Sequence, residues 1–167
     1  DADWRLRPVV MVPDWGSYTG PEFRGRGAAP AACSRVSEES GMPIDEYLWF
    51  EDAPESSAPA SRGVAAALEQ GPDAGWQFLR ACREATYLRR TNLDTGAAVV
   101  ELAASVSDLD AEALERSLES GPELPDVSDA TAVPGVEDAG GRPSLPTVVV
   151  RGDDGERGHS GFADAAT

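Results

Sequence analysis

The pattern of hydrophobic and polar positions predicts a strand at the start of the chain. Apolar and charged residues alternate from Trp4 to Arg7, and an apolar run follows at Val9–Val12. Alternation with a period of two residues, followed by a short β-branched run, is typical of a strand that is buried on at least one face. We therefore expect a strand over residues 4–12.

A second run of this kind predicts a hairpin near the end of the chain. Residues 147–150, Thr-Val-Val-Val, are all β-branched, and Gly-Asp-Asp-Gly follows at 152–155. Four β-branched residues are too few for a core helix, and the residues after them favour a tight turn. We expect a strand at 147–151 and a second short strand through 158–162.

Between these ends the apolar residues follow the helical period. The clearest stripe, Val99, Leu102, Ala103 and Val106, has the i, i+3, i+4, i+7 spacing of an amphipathic helix. Capping residues, prolines and glycines divide this region. The predicted helices lie at 30–40, from Ser56 or Ser57 to Gln70, and at 73–90. Two more extend from Asp94 or Thr95 through Val106 and from Asp108 or Asp110 to Ser120, and a short helix is predicted near 126–133.

Two helical glycines and one long loop are unusual in this pattern. Gly63 and Gly75 each cost a helix about 1 kcal/mol, and close contacts between helices would explain them. Residues 13–30 are rich in Gly and Pro and carry Trp15, Tyr18 and Phe23. These rings either line a binding groove or seal the loop onto the core.

The charge balance excludes several classes of partner. The chain has 30 acidic and 14 basic residues, a net charge of −16, and no lysine. A protein with this negative charge repels phosphate backbones and acidic membranes. We therefore expect no nucleic-acid binding through Arg24-Gly25-Arg26-Gly27. No apolar run of 18 residues is present, so we expect no membrane span. The acidic excess is typical of a protein adapted to high salt, and we expect a cytoplasmic location.

The sequence offers few groups for metal binding or nucleophilic catalysis. Its cysteines, Cys33 and Cys82, are far apart, and His159 is its one histidine. These residues cannot supply a four-ligand zinc site, and we expect no metal. The cysteines are either separate and reduced or joined in one disulfide, and the first is commoner in such a chain. We expect Cys82 on the apolar face of its helix and His159 in a strand near solvent.

The order strand, helical insertion, proline turn, strand and hairpin resembles the DsbA-like thioredoxin fold, most closely the FrnE-type dithiol-disulfide isomerases. The resemblance covers most of residues 3–150, through the order and spacing of several short segments. These are Asp3-Trp4-Arg5, Ser40-Gly41-Met42-Pro43-Ile44, Ser56-Ser57-Ala58-Pro59-Ala60, Gln70-Gly71-Pro72, Phe78-Leu79-Arg80 and Leu145-Pro146-Thr147.

This resemblance implies an α/β class, a thioredoxin-like fold with a helical insertion subdomain, incomplete at its N-terminus. The expected divisions are 1–29 for the first strand and long loop, 30–125 for the helical insertion, and 126–167 for the proline loop and hairpin. The family's first strand would lie between the strands at 4–12 and 147–151. Without it both strands would expose unpaired backbone groups, so we expect the chain not to fold stably alone.

The resemblance also implies half of a redox site. Pro146 matches the family's cis-proline, and Ser144 and Leu145 precede it, so these three residues are expected to bind the substrate. Neither Cys33 nor Cys82 matches the redox cysteines, which are expected before the start of this chain, so no catalytic residue is assigned within it. The expected partners are protein thiols and disulfides or a small thiol substrate, with no cofactor.

Two alternatives remain open on the sequence alone. One is a relative of the kappa glutathione transferases and hydroxychromene-carboxylate isomerases, which share the helical insertion but use a serine in place of the cysteine pair. The other is a redox-silent thioredoxin-fold binding module. The residues upstream would distinguish them: Cys-x-x-Cys, a lone serine, or neither.

Overall fold

The computed structural model describes residues 5–10, 12–15, 26–121, 124, 147–152 and 155–160, which belong to two compact units, Asp1–Leu124 and Pro125–Thr167. A 3-10 turn at Arg26–Ala28 leads into the first helix. The helices are α1 Ala29–Ser40, α2 Leu48–Glu51, α3 Ala58–Glu69, α4 Pro72–Arg89, α5 Gly96–Ala104 and α6 Ala111–Ser120, and the strands are β1 Thr147–Gly152 and β2 Gly155–Ser160.

Three helix ends confirm the predictions made from capping residues, whereas the Ser57 side chain, at the start of α3, makes no cap hydrogen bond. Gly41, directly after α1, has φ 68°, a left-handed conformation that glycine adopts without strain. The Thr95 hydroxyl accepts a hydrogen bond of 3.2 Å from the Ala98 N–H at the start of α5. The Asp110 carboxylate does the same for Ala113 at 2.9 Å in α6. Each cap satisfies a backbone donor that the helix itself leaves unpaired.

Helices α3 to α6 enclose the hydrophobic core of the first unit. Phe78, Val99 and Leu114 lie at its centre, and each is 0% exposed. The other buried members are Val64, Ala66, Ala67, Cys82, Ala85, Leu93, Leu102 and Ala103. Burial of these apolar side chains stabilises the four-helix arrangement. Cys82 is one of them, so its predicted core position is confirmed.

The two helical glycines mark close contacts, as predicted. A Cβ on Gly63 would lie 2.5 Å from Val99 Cγ1 and 2.9 Å from Phe78 Cε1. A Cβ on Gly75 would overlap the Leu68 side chain on α3. Glycine therefore lets α3 approach α4 and α5 more closely than alanine would, which offsets its low helix propensity.

A reciprocal pair of hydrogen bonds joins the end of α3 to the start of α6. The Gln70 Nε2 donates to the Asp110 carbonyl at 2.9 Å, and the Asp110 N–H donates to Gln70 Oε1 at 2.9 Å. The pair fixes the position of the residue that caps α6.

The prediction of a strand over residues 4–12 is wrong and is corrected here. Among the described residues of this segment, 5–10 and 12–15, only Val10 has a β-bridge and none forms a strand. The backbone pairs with a loop instead: the Ser57 N–H donates to the Val12 carbonyl and the Trp15 N–H to the Glu55 carbonyl, each at 2.9 Å. A strand needs a ladder of partners, and this loop supplies only isolated bonds.

The second unit contains the predicted hairpin. Strands β1 and β2 are antiparallel, with a register that runs from Thr147 opposite Ser160 to Gly152 opposite Gly155. Gly155 has φ 108°, a conformation that favours glycine. The first strand is confirmed within one residue, whereas the second begins three residues before the predicted Gly158. The helix proposed at 126–133 lies outside the described residues, and the division into 1–29, 30–125 and 126–167 stays a prediction.

Helix length and hydropathy bear on membrane insertion. Within the described part of the chain, no helix is both long and apolar enough to cross a membrane.

Candidate functional site

The substrate-binding residues predicted from the sequence, Ser144, Leu145 and Pro146, lie outside the described residues. Strand β1 begins at the next residue, Thr147, so the strand expected after the proline turn is present. His159 lies in β2 opposite Val148, which confirms that it is a strand residue. The assignment of residues 144–146 to substrate binding stays a prediction.

Cys82 is a poor nucleophile because of its position in the core. Burial raises the pKa of its thiol to about 12. The thiolate is the reactive form in disulfide exchange, so a thiol that stays protonated at neutral pH is unreactive.

Cys33, on α1, is half-buried and is not activated either. Burial raises the pKa of its thiol, and the nearby Glu46 carboxylate adds to that effect, while a hydrogen bond from the Trp49 side chain opposes it. Cys33 and Cys82 are both free, so of the two arrangements considered above the separate, reduced one is present. The surroundings of both thiols therefore favour the protonated, unreactive form.

A metal centre requires several ligating side chains close together. The described residues contain no group of three or more His, Cys, Asp or Glu side chains that could hold a metal ion.

The segment between α1 and α3 is anchored to the protein by Trp49. Its ring packs edge-on against Trp15, with 5.1 Å between ring centroids, and its side chain is near enough to Cys33 to lower the pKa of that thiol. Trp15 is buried in this contact. Of the two roles considered for the aromatic residues of the 13–30 loop, sealing therefore applies to Trp15, while Tyr18 and Phe23 lie outside the described residues.

Arg90 ties the same segment to the end of α4. Its Nε lies 2.7 Å from Asp45 Oδ2, and its Nη1 lies 2.9 Å from Glu51 Oε1. The guanidinium also stacks 5.0 Å from the centre of the Tyr47 ring. We call Asp45, Tyr47, Glu51 and Arg90 the Arg90 clasp. A planar guanidinium that binds two carboxylates and one ring fixes the segment more specifically than one ion pair would.

Backbone bonds reinforce this arrangement. The Asp45 N–H donates to the Tyr87 carbonyl at 2.8 Å, and the Tyr47 N–H donates to the Asp45 carboxylate at 3.0 Å. The Tyr47 N–H and the Arg90 guanidinium together lower the pKa of Asp45. Arg90 itself has φ 56°, an uncommon conformation for a residue other than glycine.

Four large apolar side chains, one of them Tyr47 of the clasp, are exposed within three positions of a clasp residue along the chain. Met42, Tyr47, Phe50 and Leu88 are 54%, 54%, 69% and 49% exposed, and we call these four residues the aromatic surface after its two rings, Tyr47 and Phe50. The Tyr47 and Phe50 rings lie 5.9 Å apart. Beside them is a shallow cleft of about 440 Å³, lined in part by Ser37, Pro43, Tyr87 and Leu88. This combination of apolar surface and fixed backbone is suited to contact with another molecule.

The sequence prediction missed this site because no helix or strand was expected in residues 41–55. The available signal was three aromatic residues within four positions, Tyr47, Trp49 and Phe50, among acidic residues. The role of Arg90 could not be predicted from a local pattern, because Arg90 lies 45 positions after Asp45 in the sequence.

Comparison with known proteins identifies the family. The family model Thioredoxin_5, described as thioredoxin, matches residues 5–123. One curated relative, the ClpXP adapter protein SpxH of Halalkalibacterium halodurans, is 38% identical over 78 residues, which cover 47% of this chain and 25% of the relative. The SpxH of Bacillus subtilis is 34% identical over 91 residues, which cover 53% of this chain and 30% of the relative.

The family model matches nearly the whole first unit, whereas the two SpxH matches extend over 78 and 91 residues. The chain spans less than a third of the length of either SpxH. The family match includes both cysteines and all six helices of the part of the chain that the structure describes, and it confirms the thioredoxin-like fold predicted from the order of elements. The chain belongs to the thioredoxin family.

Proposed function

We propose that the complete protein is a thiol-disulfide oxidoreductase or isomerase of the DsbA-like class, with redox cysteines outside this chain. The observation that carries the proposal is the thioredoxin-family match over residues 5–123. The surroundings of Cys33 and Cys82 support the second part, because burial holds both thiols in the protonated form.

In this proposal the chain supplies the scaffold and the substrate-facing side of the cleft. A thiolate from the redox pair attacks one sulfur of a substrate disulfide, a mixed disulfide forms, and the other substrate sulfur leaves as a thiolate. The thiolate of the second cysteine then attacks the mixed disulfide, the substrate's first sulfur leaves as a thiolate, and the redox pair is left as a disulfide, so the substrate is reduced and the pair is oxidised. The backbone of Ser144-Leu145-Pro146 would pair with the substrate chain during these steps.

The narrower features of the proposal follow from the same resemblance. The FrnE-type isomerases remain the subgroup that we favour, protein thiols and disulfides are the substrates, and the cytoplasm is the compartment. The acidic surface fits a cell interior with high salt.

The test is disulfide exchange by the complete protein. We expect the parent protein to reduce insulin disulfides or to reactivate a scrambled disulfide-bonded substrate. The double variant Cys33→Ala/Cys82→Ala should keep this rate, and Pro146→Ala should lose most of it while helix content by circular dichroism is unchanged.

Two results would contradict the proposal. Loss of exchange in a folded Cys33→Ala/Cys82→Ala protein would place the reactive thiols in this chain. An inactive parent protein would indicate that it does not act on disulfides at all.

A second candidate is a redox-silent module that binds protein partners. Both curated relatives are ClpXP adapter proteins, and an adapter needs a docking surface and no reactive thiol. Absence of disulfide exchange together with specific binding of a partner protein would favour this candidate over the first.

A further inference from the structure

We propose that the aromatic surface, Met42, Tyr47, Phe50 and Leu88, docks a basic amphipathic segment of a partner protein. The inference goes beyond disulfide exchange, because it requires no thiol and concerns a surface in the first unit. It rests on three observations: the exposure of the side chains, the contacts that hold the backbone beneath them, and the charge around them.

The exposure has no explanation within the described part of the fold. Phe50 is 69% exposed, and its described ring contact is with Tyr47, which is itself 54% exposed. Each of these side chains leaves apolar area in contact with water, which is unfavourable. Neighbouring aromatic residues in such positions are typical of protein interfaces, where Tyr and other large rings supply much of the binding energy.

The surface is held in place before any partner arrives. Arg90 binds Asp45 and Glu51 on either side of Tyr47, and Trp49 anchors the intervening turn of α2 against Trp15. A fixed surface loses little conformational freedom on binding, and this favours affinity. The side chains are therefore displayed by a backbone that several contacts hold.

The charge around the surface selects the partner. Residues 36–61, which include Met42, Tyr47 and Phe50, contain seven acidic residues and no basic one, whereas Arg35 and Arg62 flank the range and Arg89 and Arg90 follow Leu88. Arg90 offsets Asp45 and Glu51. Glu46 and Asp52, by contrast, form no ion pair with any described residue. An apolar partner segment that carries Arg or Lys would meet these carboxylates, and an acidic segment would be repelled.

The experiment is selection of a random peptide library on the immobilised complete protein, followed by Kd measurements on the enriched peptides. We expect peptides in which Arg or Lys stands beside aromatic or large aliphatic residues. Phe50→Ser should weaken their binding at least about tenfold. Glu46→Gln/Asp52→Asn should weaken it about threefold and reduce its dependence on salt.

Trp76→Ser is the matched control, because Trp76 is an aromatic residue on α4 that is 43% exposed and lies away from the clasp. It should leave binding unchanged. Enrichment of acidic or uncharged peptides, no enrichment at all, or equal losses in Phe50→Ser and Trp76→Ser would overturn the proposal.

Sedimentation of the wild type and Phe50→Ser supplies a second measurement. We expect the two proteins to have the same mass in solution. If the wild type is a dimer and Phe50→Ser is a monomer, the surface binds a second copy of this chain, and the proposed partner is wrong. Neither measurement depends on disulfide exchange, so each proposal can fail without the other.

Discussion

The helical unit and the hairpin differ in how their apolar residues are covered. Helices α3 to α6 bury Phe78, Val99 and Leu114 completely, whereas Val148, Val149 and Val150 of β1 are 39%, 37% and 61% exposed. Successive strand residues point to opposite faces, so both faces of the hairpin are open in this respect. The helices thus enclose a core, and the hairpin presents apolar surface that nothing in its described part covers.

The difference follows from how each kind of element satisfies its backbone. A helix makes its hydrogen bonds internally and needs only one covered face, which four short helices can provide for one another. A two-stranded sheet keeps two open edges and is marginally stable alone. The expectation that the chain does not fold stably alone stays a prediction, and the hairpin is the part to which it applies most directly.

The comparison also separates two functional regions. The helical unit holds the Arg90 clasp and the aromatic surface on a packed scaffold. The hairpin begins directly after Leu145-Pro146, the proposed substrate-facing residues. In the two proposals, docking of a partner would thus depend on the helical unit, which encloses its own core. Disulfide exchange would depend on the residues just before the hairpin.

The largest effect is expected from truncation of the core. Phe78→Ala should lower the free energy of unfolding of the helical unit by about 3–5 kcal/mol, through lost burial and the cavity that remains. Val150→Ala in the hairpin should change it by less than about 0.5 kcal/mol. Urea unfolding followed by helical circular dichroism measures both, and similar losses would remove the distinction between the two units.

A smaller effect is expected at the close helix contact. Gly63→Ala should destabilise the helical unit by about 1–3 kcal/mol, because the new methyl group would overlap Val99 and Phe78. Gly96→Ala is its control: a Cβ there meets nothing within 4 Å, so its better helix propensity should leave stability unchanged or raise it. If both variants were equally stable in urea, the contact between the helices would be looser than described.

The third prediction concerns alkaline pH. The folded-state pKa of Cys82 is about 12, above its ordinary value of 9.0, so the unfolded chain loses this proton first as pH rises. Stability from this group is complete below pH 9 and should fall by about 1.4 kcal/mol per pH unit between pH 9 and 12.

Urea unfolding at several pH values from 8 to 11 would measure that slope, with Cys82→Ala as the control that lacks it. Identical slopes for the wild type and the variant would mean that the thiol ionises in the folded protein as easily as in the unfolded chain.

The sequence predicted the elements whose local signals agree with their packing. Thr95 and Asp110 are capping residues at the starts of α5 and α6, and Val99 and Leu102 follow the helical period. The capping residues and the buried apolar residues therefore predict the same helices. The four-residue helix α2 was missed because one turn is too short to show a period. The strand at 4–12 was wrong because a strand depends on a partner that alternation within one segment does not reveal.

Much of the site was harder to predict. The Arg90 clasp brings together residues 39 and 45 positions apart, and no local pattern joins them. The sequence assigns Cys33 no redox role. The pKa of its thiol depends on Trp49 and Glu46, which lie in a segment where no helix or strand was predicted. Chemistry that depends on distant contacts requires the fold.

The most direct test of this account is amide hydrogen exchange of the 167-residue chain, resolved by segment. If the helical unit encloses its own core and the hairpin lacks cover, amides within α3 to α6 should exchange at least about 10³-fold more slowly than in an unfolded peptide, and amides of β1 and β2 within about tenfold of it. Equal protection in the two regions, or none in the helices, would contradict the account.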